Sequence, residues 1–104
     1  MKITGLLVAS LALLAAPAWA ATPDEAMNKA GCLACHAKDK KIIGPAYKDV
    51  AAKYKGQDVT AKLMEKVRKG GSGVYGPVPM APNPPEKIND ADLTGAVEFI
   101  LKTT

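Results

Sequence analysis

The sequence predicts an all-α domain of about four short helices. Three observations support this: apolar residues recur every three to four positions in four separate segments, each segment is bracketed by helix-starting and helix-stopping residues, and no stretch carries the alternation of a strand. The first segment opens Thr22-Pro23-Asp24-Glu25, with Thr22 as N-cap, Pro23 at the first helical position and Glu25 as capping-box partner, and should end near Gly31. Gly44-Pro45 then breaks the chain, and Tyr47 to Tyr54 reads as a short helix with Val50 and Tyr54 four residues apart, closed by Gly56. Asp58 is placed to cap a third helix in which Val59, Leu63 and Val67 share a face, stopped by Gly70 and Gly71. Asn89, with Asp92 three residues on, opens a last helix striped by Leu93, Val97, Ile100 and Leu101.

Residues 1–20 read differently from the rest. Lys2 supplies a short positive start, the run from Ile3 to Ala16 is almost wholly apolar, and Ala18-Trp19-Ala20 carries small residues where signal peptidase needs them. Cleavage after Ala20 would leave one domain over residues 21–104. The competing reading, an uncleaved membrane anchor, needs an apolar run of about 20 residues, and this one is shorter.

A domain of 84 residues buries limited apolar area, and loss of Trp19 leaves only Phe99 and the tyrosines at 47, 54 and 75 as aromatics. A large flat cofactor would fill that gap. The formal charge of +4, falling to +3 without Lys2, gathers as lysines between Lys38 and Lys55 and suggests a basic face. Most of these lysines need no role beyond solubility. Nucleic acid is a poor partner for them, because an exported chain does not meet it and no recognition motif is present.

Cys32-Leu33-Ala34-Cys35-His36 is a C-x-x-C-H motif, the signature of covalent haem attachment. Residues i, i+3 and i+4 of a helical turn lie on one face, so both sulfurs can reach the vinyl groups along one haem edge while the imidazole turns toward iron. His36 is the chain's one histidine. Three rival readings use the same residues. Structural zinc wants four ligands and finds three here; a thioredoxin-like pair wants an α/β domain, and no parallel sheet is predicted; a plain stabilising disulfide remains the least specific.

Between Gly70 and Lys87 the chain carries prolines at 77, 79, 82, 84 and 85 and cannot be a regular helix. So many prolines restrict it to few conformations, and the segment reads as a rigid loop that presents something. Met27 and Met64 fall on helices and are accounted for as core or partly buried residues. Met80 lies in the proline loop, where no periodicity asks for an apolar side chain, and is the candidate second axial ligand. Thioether with imidazole fills both axial positions and favours electron transfer over binding of oxygen or peroxide.

These residues together resemble the small bacterial class I cytochromes c of the cytochrome c-551 (cytochrome c8) type. The resemblance rests on Gly31 to Ala37, on Gly44 to Tyr54 and on Gly73-Val74-Tyr75-Gly76-Pro77-Val78-Pro79-Met80, in family order over nearly all of the chain past Ala20. It implies an all-α fold wrapped around one haem c per chain, attached through Cys32 and Cys35, with His36 and Met80 on the iron and one haem edge exposed. It implies supporting roles as well: the Pro45 carbonyl orients His36, the Asn83 amide contacts the Met80 sulfur, and Lys66, Arg68 and Tyr75 lie near the haem propionates. Three departures stand out. Tyr75 replaces the common Trp before Gly-Pro, Phe99 replaces a Trp of the last helix, and Ala81 replaces a proline after the methionine, which loosens the ligand loop.

The function this implies is one-electron carriage in the periplasm by a monomer that is not an enzyme and is not inserted in the membrane once the signal is cleaved. Respiratory donors and acceptors such as a nitrite reductase or a terminal oxidase are the implied partners, steered by lysines such as Lys38, Lys40, Lys41 and Lys48. Two other classes use the same residues: a haem protein with an open sixth site that binds small gases or is weakly peroxidatic, and a haem-free thiol oxidoreductase or binding module.

Overall fold

The computed structural model describes residues 21–104. The signal peptide expected over residues 1–20 lies outside the described residues. The described residues build four α-helices, α1 (Pro23–Ala30), α2 (Tyr47–Lys53), α3 (Thr60–Lys69) and α4 (Asp90–Leu101), with a 3₁₀ turn, Cys32–Ala34, directly after α1. Among the described residues there is no strand beyond two isolated bridges, His36 with Lys41 and Gly71 with Met80.

The ends of α1 and α4 follow from the sequence chemistry. Thr22 Oγ1 accepts from the Glu25 backbone N–H at 3.4 Å, Pro23 occupies the first turn, and Gly31 ends the helix at φ 85°, a left-handed conformation that glycine adopts without a Cβ penalty. Asn89 Oδ1 accepts from the Asp92 N–H at 2.8 Å and starts α4.

The middle helices start by other means. The first N–H groups of a helix lack intrahelical partners; in α2 those of Tyr47 and Lys48 donate instead to the carbonyls of Ala37 and Lys38 at 2.9 and 3.0 Å. These bonds tie α2 to the chain just past the C-x-x-C-H turn. In α3 the expected Asp58 cap does not form. The helix starts one position later, with Val59 at the cap and no side-chain hydrogen bond. Val59 is buried, and burying a valine side chain, worth about 1.5–3 kcal/mol, outweighs a cap bond typically worth about 1 kcal/mol.

α4 is the hub, packed against α1, α2 and α3. Its Leu93, Ala96 and Val97 are buried with Ala26, Met27 and Ala30 of α1, Tyr47 of α2 and Ile88. Met27 is therefore core, as its helical position predicts. Met64 is partly buried against this cluster, and its sulfur accepts a hydrogen bond from Thr94 Oγ1 at 3.4 Å. Alanines supply three of the eight buried members of this cluster, and Leu63 and Val67 of α3 and Ile100 of α4 are only partly buried against it.

The proline segment is ordered by few bonds. Gly71 and Met80 exchange reciprocal backbone bonds, N–H to carbonyl at 3.0 and 2.9 Å, which close the intervening residues into a loop. Gly70, with φ 68°, lies against it so tightly that a Cβ there would run into the carbonyl of Met80.

Gly95 lies in the interior of α4, and a Cβ added there meets nothing within 4 Å. Gly95→Ala should therefore stabilise the domain by about 0.5–1 kcal/mol, read as an upward shift of the chemical-denaturation midpoint at unchanged slope. A lower midpoint would show that the helix needs the space.

Candidate functional site

Every element contributes to one cavity of about 450 Å³, within the range of pockets that enclose a cofactor-sized group. Its walls are mostly apolar: Met27 and Ala30 from α1, Val50 from α2, Leu63 and Val67 from α3, Leu93, Val97 and Ile100 from α4, and Val78 and Pro79 from the loop. Cys32, Cys35 and His36 line it, and so do Met80, Pro45, Asn83, Lys66 and Tyr75. Eight of the nine residues singled out in the sequence therefore meet in one place.

His36 is the best-determined side chain of the group. The 3₁₀ turn carries the His36 and Cys35 N–H groups back to the Cys32 carbonyl at 3.0 and 3.2 Å, and the Gly44 N–H donates to the Cys35 carbonyl at 2.7 Å. The ring's Nδ1 lies 2.8 Å from the Pro45 carbonyl, which can only accept, so Nδ1 is the protonated nitrogen. A neutral ring then presents a bare Nε2, the state in which imidazole binds a metal. Tyr47 stacks on the imidazole with centroids 5.4 Å apart and planes inclined by 22°.

Gly44 closes the remaining space, for a Cβ there would lie 2.8 Å from Nδ1, 2.9 Å from Nε2 and nearer still to Cε1. Neither Tyr47 nor Gly44 was assigned a site role from the sequence. The available signal was their spacing, since both flank the Pro45 carbonyl that holds the ring.

The thiols of Cys32 and Cys35 are free and partly buried. Burial pushes the Cys32 thiol up from its ordinary range, and the Lys87 ammonium nearby pulls it partly back. Among the described residues no three His, Cys, Asp or Glu side chains converge on one point, as a zinc site would require. The Tyr47 hydroxyl is buried without a hydrogen-bond partner, and burial, with Cys32 adding to it, pushes its phenol far above the usual range.

At the cavity mouth Tyr75 lies near Tyr54 of the α2 C-cap; burial first, then Tyr54 and Asp49, raise its phenol. The Lys53 ammonium sits 5.9 Å from the Tyr54 ring and 6.0 Å from that of Tyr75, linking the two. Tyr54 also lines the cavity and was not assigned from the sequence.

Two expected roles need correction. Arg68 does not reach the cavity: its guanidinium donates to the carbonyls of Asn83 and Ile88 at 3.1 and 2.6 Å and to Asp90 at 2.6 Å. Its place one residue past Val67 turns it about 100° round α3, toward the chain over residues 83–90 instead of into the cavity. The Asn83 amide, although in the cavity wall, spends both its N–H groups on the Val67 and Ala81 carbonyls at 3.3 and 3.0 Å, which leaves no donor for the Met80 sulfur.

The pattern of the cytochrome c family matches residues 22–104. This chain belongs to that family. It is 51% identical over 84 residues to cytochrome c2 of Rubrivivax gelatinosus, covering 80% of this chain and 99% of that protein. To cytochrome c-551 of Pseudomonas aeruginosa it is 44% identical over 96 residues, covering 91% and 89%. The crystal structure of Nitrosomonas europaea cytochrome c552 superimposes with a TM-score of 0.70 at 39% identity, covering 78% of this chain and 99% of that one. The chain is thus a small class I cytochrome c of the c-551 type, an all-α electron carrier rather than an enzyme.

The family implies a covalently bound haem c. The residues present fit that group: two free thiols three residues apart, an imidazole with one nitrogen tied back and the other bare, a thioether in the same cavity, and apolar walls that keep water away.

Because Gly44 has no left-handed backbone conformation, replacing it is a purely steric test of how His36 is held. Gly44→Ala should displace the ring, break its bond to Pro45 and cost about 1–3 kcal/mol of stability. The check is the exchange-protected ring N–H resonance of His36 in NMR, expected to disappear in the variant; its persistence would show that the contact yields without moving the imidazole.

Proposed function

We propose that this cytochrome is a periplasmic one-electron carrier whose haem is held through Cys32 and Cys35 and ligated by His36 and Met80. The observation that carries the reading is the imidazole of His36, pinned by Pro45, Gly44 and Tyr47 in the wall of a cavity that also receives Met80. Reversible one-electron chemistry is what haem c supplies when bound.

The chain's own residues supply attachment, orientation and exclusion. Cys32 and Cys35, on one turn of chain, would hold the group's edge, and His36 would meet the iron through Nε2 because Nδ1 is committed to Pro45. Met80 offers a thioether from a loop closed by its own reciprocal bonds with Gly71. Held by both His36 and Met80, the iron would have no position left for small ligands. Apolar side chains around the cavity exclude water and keep the site much the same in its two charge states. Lys66 and Tyr75 are the polar groups suited to the carboxylates of the haem.

The rim supports transfer to other proteins. Ile43, Val74, Tyr75 and Val78 line the cavity and are also exposed, so a partner meets an apolar edge rather than a shell of charge. Lys38, Lys40, Lys41 and Lys48 are all exposed in the segment that precedes and begins α2. A positively charged surface of this kind steers an acidic respiratory partner into a brief complex. Among the described residues no helix is long and apolar enough to cross a membrane.

Ligation is tested by the ferric absorption spectrum of the exported protein. Wild type should show covalently retained haem with the weak far-red sulfur-to-iron band, and Met80→Ala should lose that band and become high-spin. A spectrum indifferent to the substitution would put Met80 off the iron and favour an open, ligand-binding sixth site, and a colourless product would sink the haem assignment.

Steering is tested separately, through the rate of electron transfer to an acidic redox partner. Raising ionic strength from about 0.01 to about 0.15 M shortens the screening length from about 30 to about 8 Å and should slow second-order transfer several-fold. A rate independent of salt would leave the lysines with solubility alone.

A further inference from the structure

Arg68 belongs to no part of the cavity, yet it is the most heavily engaged charged side chain among the described residues. Its side chain is only 19% exposed. One nitrogen, Nη1, donates to two backbone carbonyls, those of Asn83 at 3.1 Å and Ile88 at 2.6 Å; the other, Nη2, meets Asp90 Oδ1 at 2.6 Å. These three acceptors belong to the stretch that runs from the Met80 loop into α4.

That stretch is short of donors of its own. Pro82, Pro84 and Pro85 have no N–H, so the carbonyls around them cannot be satisfied by a regular local ladder. Ala81 stands where a proline would have stiffened the chain by itself. Order comes from outside instead. The Asn83 backbone N–H donates to the Val67 carbonyl at 3.1 Å, and its side-chain amide bonds the Val67 and Ala81 carbonyls at 3.3 and 3.0 Å. Ala81 is the residue next to Met80. A chain of contacts therefore leads from the guanidinium to Asn83, from Asn83 to Ala81, and so to the methionine, while Gly71 holds the methionine's own backbone.

We propose that Arg68 is a positioning residue for Met80: by clamping the carbonyls of Asn83 and Ile88 it fixes the chain that leaves the methionine and sets how firmly the thioether stays on the iron. This rests on the His36/Met80 ligation proposed above. The forked guanidinium is the group the geometry requires, because it can serve two carbonyls and a carboxylate together in one plane, whereas a lysine is a single point of charge. The two kinds of contact differ in weight. Asp90 is 86% exposed, so its ion pair is screened by water and contributes little, and the clamp resides in the two carbonyl bonds.

The experiment measures how fast exogenous imidazole displaces Met80 from the ferric holoprotein under native conditions, followed by loss of the far-red band, with the reduction potential as a second readout. Arg68→Met should speed displacement about tenfold, the effect of losing a charge-assisted hydrogen bond, and lower the potential. Arg68→Lys should fall between that variant and wild type and remains informative if Arg68→Met does not fold. Asp90→Asn should change the rate less than twofold. The control is Thr22→Ala, which removes a cap at the start of α1 and lowers stability without touching the loop. Displacement in both Arg68 variants no faster than in Thr22→Ala would overturn the clamp and leave Arg68 a general stabiliser. A wild type without the far-red band would instead overturn the ligation reading, and the clamp with it.

Discussion

The hydrogen bond between His36 Nδ1 and the Pro45 carbonyl is the contact around which the rest of the molecule is arranged. It joins the two ends of a ten-residue excursion, from the C-x-x-C-H turn to the start of α2, and that excursion is cross-tied throughout. The Cys35 carbonyl accepts from both Ile43 and Gly44, and the Ala37 and Lys38 carbonyls accept the first N–H groups of α2. A helix start without a side-chain cap thus becomes the means by which the motif is fixed to the scaffold. Tyr47, the first residue of α2, is thereby placed to stack on the imidazole, and Gly44 must stay small because the ring lies against it. Three short-range contacts converge on one ring.

Much of the rest follows from the small size of the chain. The 84 described residues, with four aromatic side chains, do not close a wide core: the buried cluster is three alanines with Met27, Leu93 and Val97, joined by Tyr47 and Ile88. The larger apolar residues of α3, Leu63 and Val67, are only partly buried and line the cavity instead. A cofactor of haem's size and flatness is the shape that completes such a core. A group carried on the chain in both states would add stability by burying its apolar faces only when the chain folds around it.

How much of this was legible in the sequence depends on the range of the interaction. Local features read well: the caps Thr22 and Asn89, the stop at Gly31, the stripe of α4 and the thiol spacing of C-x-x-C-H all depend on a few neighbouring residues. Asp58 misled because a polar residue before an apolar run is a good cap only when the next position need not be buried, and Val59 must be. Residues that act across the fold were hidden. Arg68 looked like a charge for the propionates, since its position on a helix says nothing about which partner faces it, and its three acceptors lie 15 to 22 residues away. Asn83 was expected to address a sulfur and instead serves backbone carbonyls. Tyr47 and Tyr54 were given no site role, because stacking on His36 and sharing Lys53 with Tyr75 are consequences of how α2 is docked.

The two sides of the cavity are consequently held by different kinds of contact. The histidine side is built from bonds that close within about a dozen residues of chain, which form with little loss of loop entropy and fail only if the local turn fails. The methionine side is built from contacts that reach across the sequence, from Val67 and Arg68 of α3 to Asn83, Ile88 and the start of α4, and each requires α3 and α4 to be packed first. Local contacts outlast non-local ones when packing loosens. The prolines and the Gly71–Met80 bonds stiffen the loop within itself, but they do not fix where it sits. That is decided at α3 and α4, so the hold on the proposed methionine ligand is as strong as the seam between those two helices.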